Sequence, residues 1–410
     1  MYNLHLSPEQ LEFRDTVRDF VLREIKPVAL KPERLEAFER PLPTEILDRA
    51  SQMGLRTMAL SEENGGAGSD NLTCCIVTEE LAIGDVDVAA VLAETSMLGH
   101  MLFDRLMTPT QRDRILPQFL ADDRYHLAFA DREPATDTRI GINYHRASTV
   151  ERHITTKAVR GENGDWIVNG TKDCVFNAPL AKLFVIPVAT DLDQSDGKNT
   201  KTLLVPHNAP GFFVREQDQA KRSFHGVVGE LVFSDCRVPA ESLLSAEGEN
   251  ALILSRGMFE CGRPQDQALN LGIGRAAYEA ALDYAQLRIQ GGRHIIEHQA
   301  IGTKLAEIAI SLEVARNAVW QAAYASDNPG AIADRSLPNM PLQIVAKVFT
   351  SEAVYRAAKD AAEVFGAMGV MRDMPLHKYI HDALVCLHSG NGNSDAKLRL
   401  AEALVDYKRS

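Results

Sequence analysis

No stretch of about 18 consecutive apolar residues occurs in this chain, so the sequence predicts no membrane-spanning helix. The opening residues, MYNLHLSPEQ, lack the basic-then-apolar pattern of a secretory leader. The six cysteines include no CxxC and no Cys/His pair at zinc spacing. Their scatter fits reduced thiols, and a cytoplasmic enzyme is the expectation. Positive charge is in deficit: the formal net charge is -12 and the pI about 5.5. That argues against a nucleic-acid partner, which needs a basic footprint. No internal repeat or low-complexity tract is present.

What is present is apolar material for two or three domains, 45% of 410 residues. Ser7-Pro8-Glu9-Gln10 reads as an N-cap with proline at the first helical position. Leu11, Phe13, Val17, Phe20 and Val21 then recur near a 3.6 period, and helical patterns continue past the glycine-rich EENGGAGSDN loop. The pattern changes at about residue 127. TTKAVRGENGDWIVNGTK reads as a hairpin around Asn163-Gly164, followed by short β-rich runs. Helices return from about 248, where Leu305, Ile308, Leu312, Ala315, Val319 and Ala322 form one apolar stripe. The predicted class is α+β, mainly α. It has an N-terminal helical domain (1–126), a β-barrel-like middle domain (127–245) and a C-terminal helical domain (246–410).

This order, together with several motifs in register, resembles the acyl-CoA dehydrogenase family. The matching segments are EENGGAG at 62–68, EELA at 79–82, LAFADREP at 127–134, DWIVNGTK at 165–172, FSDCRVP at 233–239, YAQLRIQGGRHIIEHQAIGTKLAEI at 284–308 and FGAMGVM at 365–371 with HDA at 381–383. No single one is decisive; their order and spacing together are. The resemblance implies a C-terminal four-helix bundle and a homodimer or homotetramer with one FAD per subunit. It also implies an acyl-CoA substrate and electron transfer to an electron-transfer flavoprotein.

The resemblance assigns Arg288 to the FAD pyrophosphate, a role that suits a bidentate guanidinium. It assigns Gln299 to the FAD of a neighbouring subunit. Glu363, Gly366 and Gly369 fall in the segment that approaches the dinucleotide, where glycine allows close backbone contact; a plain helix C-cap explains the glycines equally well. The ring-side residues depart from the family pattern Lys-x-Trp-Ile-Thr-Asn: Cys174 replaces the aromatic and Phe176 the hydroxyl.

Glu260 and Arg263 match residues of the CoA-contacting helix, or make an ordinary i, i+3 surface pair. His100 falls where the family lines the acyl pocket. Both family positions for the catalytic carboxylate are empty. One falls on Ser389 or Gly390, the other on Gly262. A positioned base contributes about 10²–10⁴-fold, so Asp266, His388 and His100 become candidates for base or polar substrate contact. Gln265-Asp266-Gln267 stands where the family has small apolar residues lining the acyl pocket, Asp104 and Arg105 lie on the neighbouring pocket helix, and such unpaired polar groups would serve an apolar chain poorly. This predicts a polar or cyclic acyl group. The competing expectations are a flavin oxidase, monooxygenase or elimination enzyme on the same scaffold, and an inactive FAD- or CoA-binding subunit.

Overall fold

The computed structural model describes residues 5–35, 40–134, 154–190, 200–216, 225–244, 263–328, 330, 341–388 and 392–405. Helix α1 (Pro8–Phe20) starts where the sequence places it. The Ser7 hydroxyl accepts the Gln10 amide, and the Gln10 side chain accepts the Ser7 amide in return. Short helices α2 (Lys26–Ala29) and α3 (Pro32–Leu35) lead to α4 (Thr44–Gln52). Next come α5 (Asn71–Gly84) and α6 (Val86–Gly99), both buried along most of their length. Helix α6 continues into a π-helical segment, His100–Leu106, before α7 (Pro109–Ala121). Val86–Leu106 is long and apolar enough to cross a membrane by composition, a feature that a search for an unbroken apolar run passes over. In the fold it is a core helix, 78% buried in its most apolar window.

The sheet has seven strands: β1 (His126–Phe129), β2 (Lys157–Arg160), β3 (Trp166–Phe176), β4 (Ala181–Ala189), β5 (Thr200–Pro206), β6 (Phe212–Glu216) and β7 (Val228–Val238). Their order is β1-β4-β2-β3-β7-β6, with β5 also on β4. The β2–β3 hairpin turns through Asn163-Gly164, as the sequence indicates. After the small ribbon β8 (Ile289–Gln290) and β9 (Arg293–His294), helices α8 (Pro264–Leu287) and α9 (Gln299–Asp327) pack with α10 (Leu342–Phe365) and α11 (Leu376–His388) as a bundle. Helix α12 (Gly392–Val405) lies against α10. One apolar core joins the two helical blocks. A second lies on the sheet around Trp166, Phe184 and Phe233. A third, with Leu98, Phe103, Phe119 and Leu127, seats α6 on β1.

The three blocks also meet in a buried ion network. Arg40 donates to Asp87 Oδ2 at 2.6 Å and to Asp382 Oδ1 at 2.7 Å, and all three side chains are 1% exposed. Lys378 Nζ lies 3.2 Å from Asp382, and the Gly226 amide, just before β7, donates to Asp87. Burial disfavours the Asp382 carboxylate, but Arg40 and Lys378 outweigh it and hold its pKa well below the ordinary value.

Candidate functional site

Strand β3 loses register between Lys172 and Val175, leaving Asp173 and Cys174 out of the ladder with β7. Bulges of this kind re-aim side chains beside active sites. Cys174 sits at φ +50° and Asn177 at φ +60°. The bulge is held from both sides. The Asp173 amide donates to the Arg132 carbonyl at 3.0 Å, and the Asp173 carboxylate accepts the Cys174 amide. Beneath it Lys172 Nζ meets Glu133 Oε1 at 2.7 Å, both fully buried. Burial opposes ionisation of Glu133, but Lys172 and the Thr155 and Thr156 bonds outweigh it and pull the pKa down to about 2. Phe176 and Cys174, both half-buried, complete this ring-side turn.

Helix α6 forms the next wall. Glu94, buried in a mainly apolar helix, receives Arg263 Nη1 at 2.7 Å. Arg263 is the N-cap residue of α8, and its other edge grips both oxygens of Asp266 at 2.9 and 3.1 Å. Burial works against this cation, yet Asp266 and Glu94 raise its pKa. Arg263 is therefore a clamp between α6 and α8, not an open guanidinium awaiting CoA. Its i, i+3 partner is Asp266; Glu260, the partner anticipated from sequence, lies outside the described residues, as do Gly262, Ser389 and Gly390.

His100 Nδ1 lies 2.7 Å from Asp104 Oδ2. Asp104 also accepts from the Ser61 amide, the Ser61 hydroxyl and the Asn64 side chain. Asp104 is thus the anchor of the glycine-rich loop, which corrects its reading as an unpaired polar group of an acyl pocket. Burial opposes its charge, but the Ser61 and Asn64 bonds prevail and lower its pKa. A group with a depressed folded pKa stabilises above its unfolded pKa and loses that contribution as pH falls. Asp104→Ala should therefore cost about 1–3 kcal/mol at neutral pH and less in acid. Faster hydrogen exchange across 61–68 would report the loosened loop; unchanged exchange would show that the anchor is dispensable.

The dinucleotide candidates gather at one end of the bundle. Arg288 caps α8, Gln299 opens α9, and Glu363 and Gly366 close α10. Tyr284 and Phe365 stack at 4.1 Å and join the ends of α8 and α10. Arg288 is exposed and has no carboxylate partner among the described residues. Glu363 does not repel an anion there, because Lys304 Nζ neutralises it at 2.6 Å. Gly366 has φ +58°, with nothing within 4 Å of where a Cβ would stand. A pyrophosphate would therefore meet a free guanidinium and an approachable backbone. Gly369 has another reason: a Cβ would lie 2.5 Å from the Ala362 carbonyl, so it is required by packing. His388 is exposed at the end of α11.

Sequence reasoning missed Glu94, Thr95 and His126. The first two are polar residues inside an apolar helix, the one signal that could have marked them.

Family models of the acyl-CoA dehydrogenase N-terminal, middle and C-terminal domains match residues 7–123, 146–236 and 252–403. The chain belongs to the acyl-CoA dehydrogenase family. An acyl-CoA dehydrogenase of Bacillus subtilis (strain 168) is 30% identical over 98% of this chain and 99% of its own length. The mitochondrial short-chain specific acyl-CoA dehydrogenase of Rattus norvegicus is 29% identical over 91% of this chain and 84% of its own. Butyryl-CoA dehydrogenase of Megasphaera elsdenii shares the fold at a TM-score of 0.81 and 24% identity, covering 98% of this chain and all of that one. Members of this acyl-CoA dehydrogenase family are oxidoreductases that act on CH–CH donors, and FAD is their cofactor.

Proposed function

We propose that the protein oxidises the Cα–Cβ bond of a polar or cyclic acyl-CoA thioester and passes the electrons to an electron-transfer flavoprotein. The observation that carries this is the exposed Arg288 at the bundle end, without a carboxylate partner among the described residues, on the same chain as the ring-side turn of β3. FAD, when bound, supplies the hydride acceptor. Arg288 and the backbone at Gly366 would hold its pyrophosphate, and Phe176 and Cys174 would face its ring. Gln299 would serve the cofactor of a second copy. Leu287 and Val370, 78% and 83% exposed beside this end, support a homo-oligomer that covers them. The cytoplasm is the proposed compartment.

The acyl group would meet charge between α6 and α8, where Glu94, Arg263 and Asp266 stand. An apolar chain would gain little there, because charged groups resist losing water. The α proton needs an acceptor. Asp266 must release one Arg263 bond to take it, whereas His388 has no hydrogen-bond partner among the described residues and borders the loop where the family keeps its base. Ser389 belongs to that same loop.

Anaerobic bleaching of the flavin by a panel of acyl-CoA thioesters tests the reading. Polar or cyclic acyl groups should bleach it faster than straight chains. One of Asp266→Asn and His388→Gln should slow bleaching about 10²-fold or more while FAD stays bound. Fastest bleaching by plain fatty acyl-CoA would sink the substrate assignment, and full rates in both variants would sink both bases. Phe176 gives a second reading some support, since it removes the ring-side hydroxyl. Rapid reoxidation of the reduced flavin by oxygen would favour an oxidase.

A further inference from the structure

We propose that Asn177, Thr95 and His126 form a positioning chain that fixes the ring-side turn of β3 against the flavin; this rests on the flavoprotein reading above. Asn177 follows Phe176 directly and lies in the left-handed region at φ +60°. Its amide donates to the Val227 carbonyl, and its own carbonyl accepts the Leu180 and Ala181 amides. The backbone leaving Phe176 is therefore fixed through Asn177.

The Asn177 side chain is held in turn by α6 and β1. Asn177 Nδ2 lies 3.2 Å from both the Val91 carbonyl and Thr95 Oγ1, and 3.3 Å from the Leu127 carbonyl. Thr95 Oγ1 lies 3.1 Å from His126 Nδ1. All three residues are buried, Thr95 at 0% exposure and His126 and Asn177 at 2%. The directions of the bonds follow from the donors available. Asn177 Nδ2 can only donate, and its two hydrogens are shared among three acceptors; with one on Thr95 Oγ1, the single Thr95 proton is left for His126 Nδ1. His126 must then be the neutral tautomer with hydrogen on Nε2. Burial, and then Arg56, pull its pKa down to about 4, which keeps that acceptor available at neutral pH.

Thr95 adjoins Glu94, and Glu94 binds Arg263. One turn of α6 therefore touches both the ring-side turn and the clamp at the head of α8. These side chains act on the flavin only through Phe176 and the turn, so they are positioning residues.

The test uses the FAD-loaded protein. Thr95→Val preserves shape and removes the hydroxyl, leaving the His126 acceptor unmatched and the Asn177 amide with the Val91 and Leu127 carbonyls alone. Thr78→Val on α5 is the control, because the Thr78 hydroxyl is buried without a hydrogen-bond partner among the described residues. Thr95→Val should weaken FAD binding about tenfold and shift the visible flavin band. Thr95→Ser should restore both, and Thr78→Val should change neither. Should Thr95→Val fail to fold, His126→Phe removes the acceptor from the other end and should give the same flavin signature. Unchanged affinity and spectrum in Thr95→Val or His126→Phe, whatever the stability, overturns the proposal. A wild type that takes up no FAD overturns the flavoprotein reading and this chain's role with it.

Discussion

Arg40→Met should lower the stability of the protein by about 3–5 kcal/mol at neutral pH, the usual result of breaking a buried ion pair by removing one partner. The guanidinium serves two carboxylates, Asp87 and Asp382, neither of which has access to water. Lys378 remains for Asp382 and the Gly226 amide for Asp87, but they do not replace the three charge-assisted bonds of Arg40. The pH dependence follows from Asp382. Its folded pKa is held below the ordinary value of 3.8, so its contribution is complete above that value and is lost as pH falls through the folded value. In Arg40→Met the stranded carboxylates prefer to be protonated, so acid relieves them. The gap between wild type and variant should narrow towards pH 3. Thermal unfolding at a series of pH values checks this; a gap that is constant with pH would show that charge is not the cause.

Lys172→Met should have an effect of similar size, about 3–5 kcal/mol, centred on the sheet. Glu133 is left 2% exposed with its countercharge gone. In the wild type its pKa is about 2 against an ordinary 4.5, so its stabilising contribution is whole above 4.5 and fades between those values as pH falls. Lys172 works in the opposite direction: burial pulls its ammonium below the ordinary 10.5 in spite of Glu133. The intact pair is therefore worth less than the Glu133 shift alone suggests, while its half-removal remains costly. The variant should gain stability on acidification where the wild type loses it. Glu133→Gln added to Lys172→Met should recover most of the loss. Failure of that rescue would place the damage in packing.

The elements that follow a local rule were legible in the chain. The stripe from Leu305 to Ala322 is buried along α9, and the Ser7 cap and the Asn163-Gly164 hairpin stand where their residue types place them. The dinucleotide candidates also converge, because Arg288, Gln299 and Gly366 sit at helix ends that a bundle brings together. What escaped is long-range pairing. Asp104 reads as a pocket polar group until Ser61 and Asn64, some 40 residues earlier, fold onto it. Asp266 follows Gly262 by four residues in the sequence, a spacing that suggested a base, but its neighbour at i−3 captures both its oxygens. Arg40 lies in a segment with no periodicity at all, and only the assembled fold shows its two partners.

The His100–Leu106 segment is π-helical. A π turn winds one residue more than an α turn through nearly the same angle, so deleting a single residue there would restore ordinary winding and leave the chain beyond it nearly in phase. A residue added there has no such outlet: it would turn everything downstream by about 100°, and α7 would leave its seat on the sheet. The segment is therefore asymmetric towards length change, able to lose a residue other than Asp104 but not to gain one.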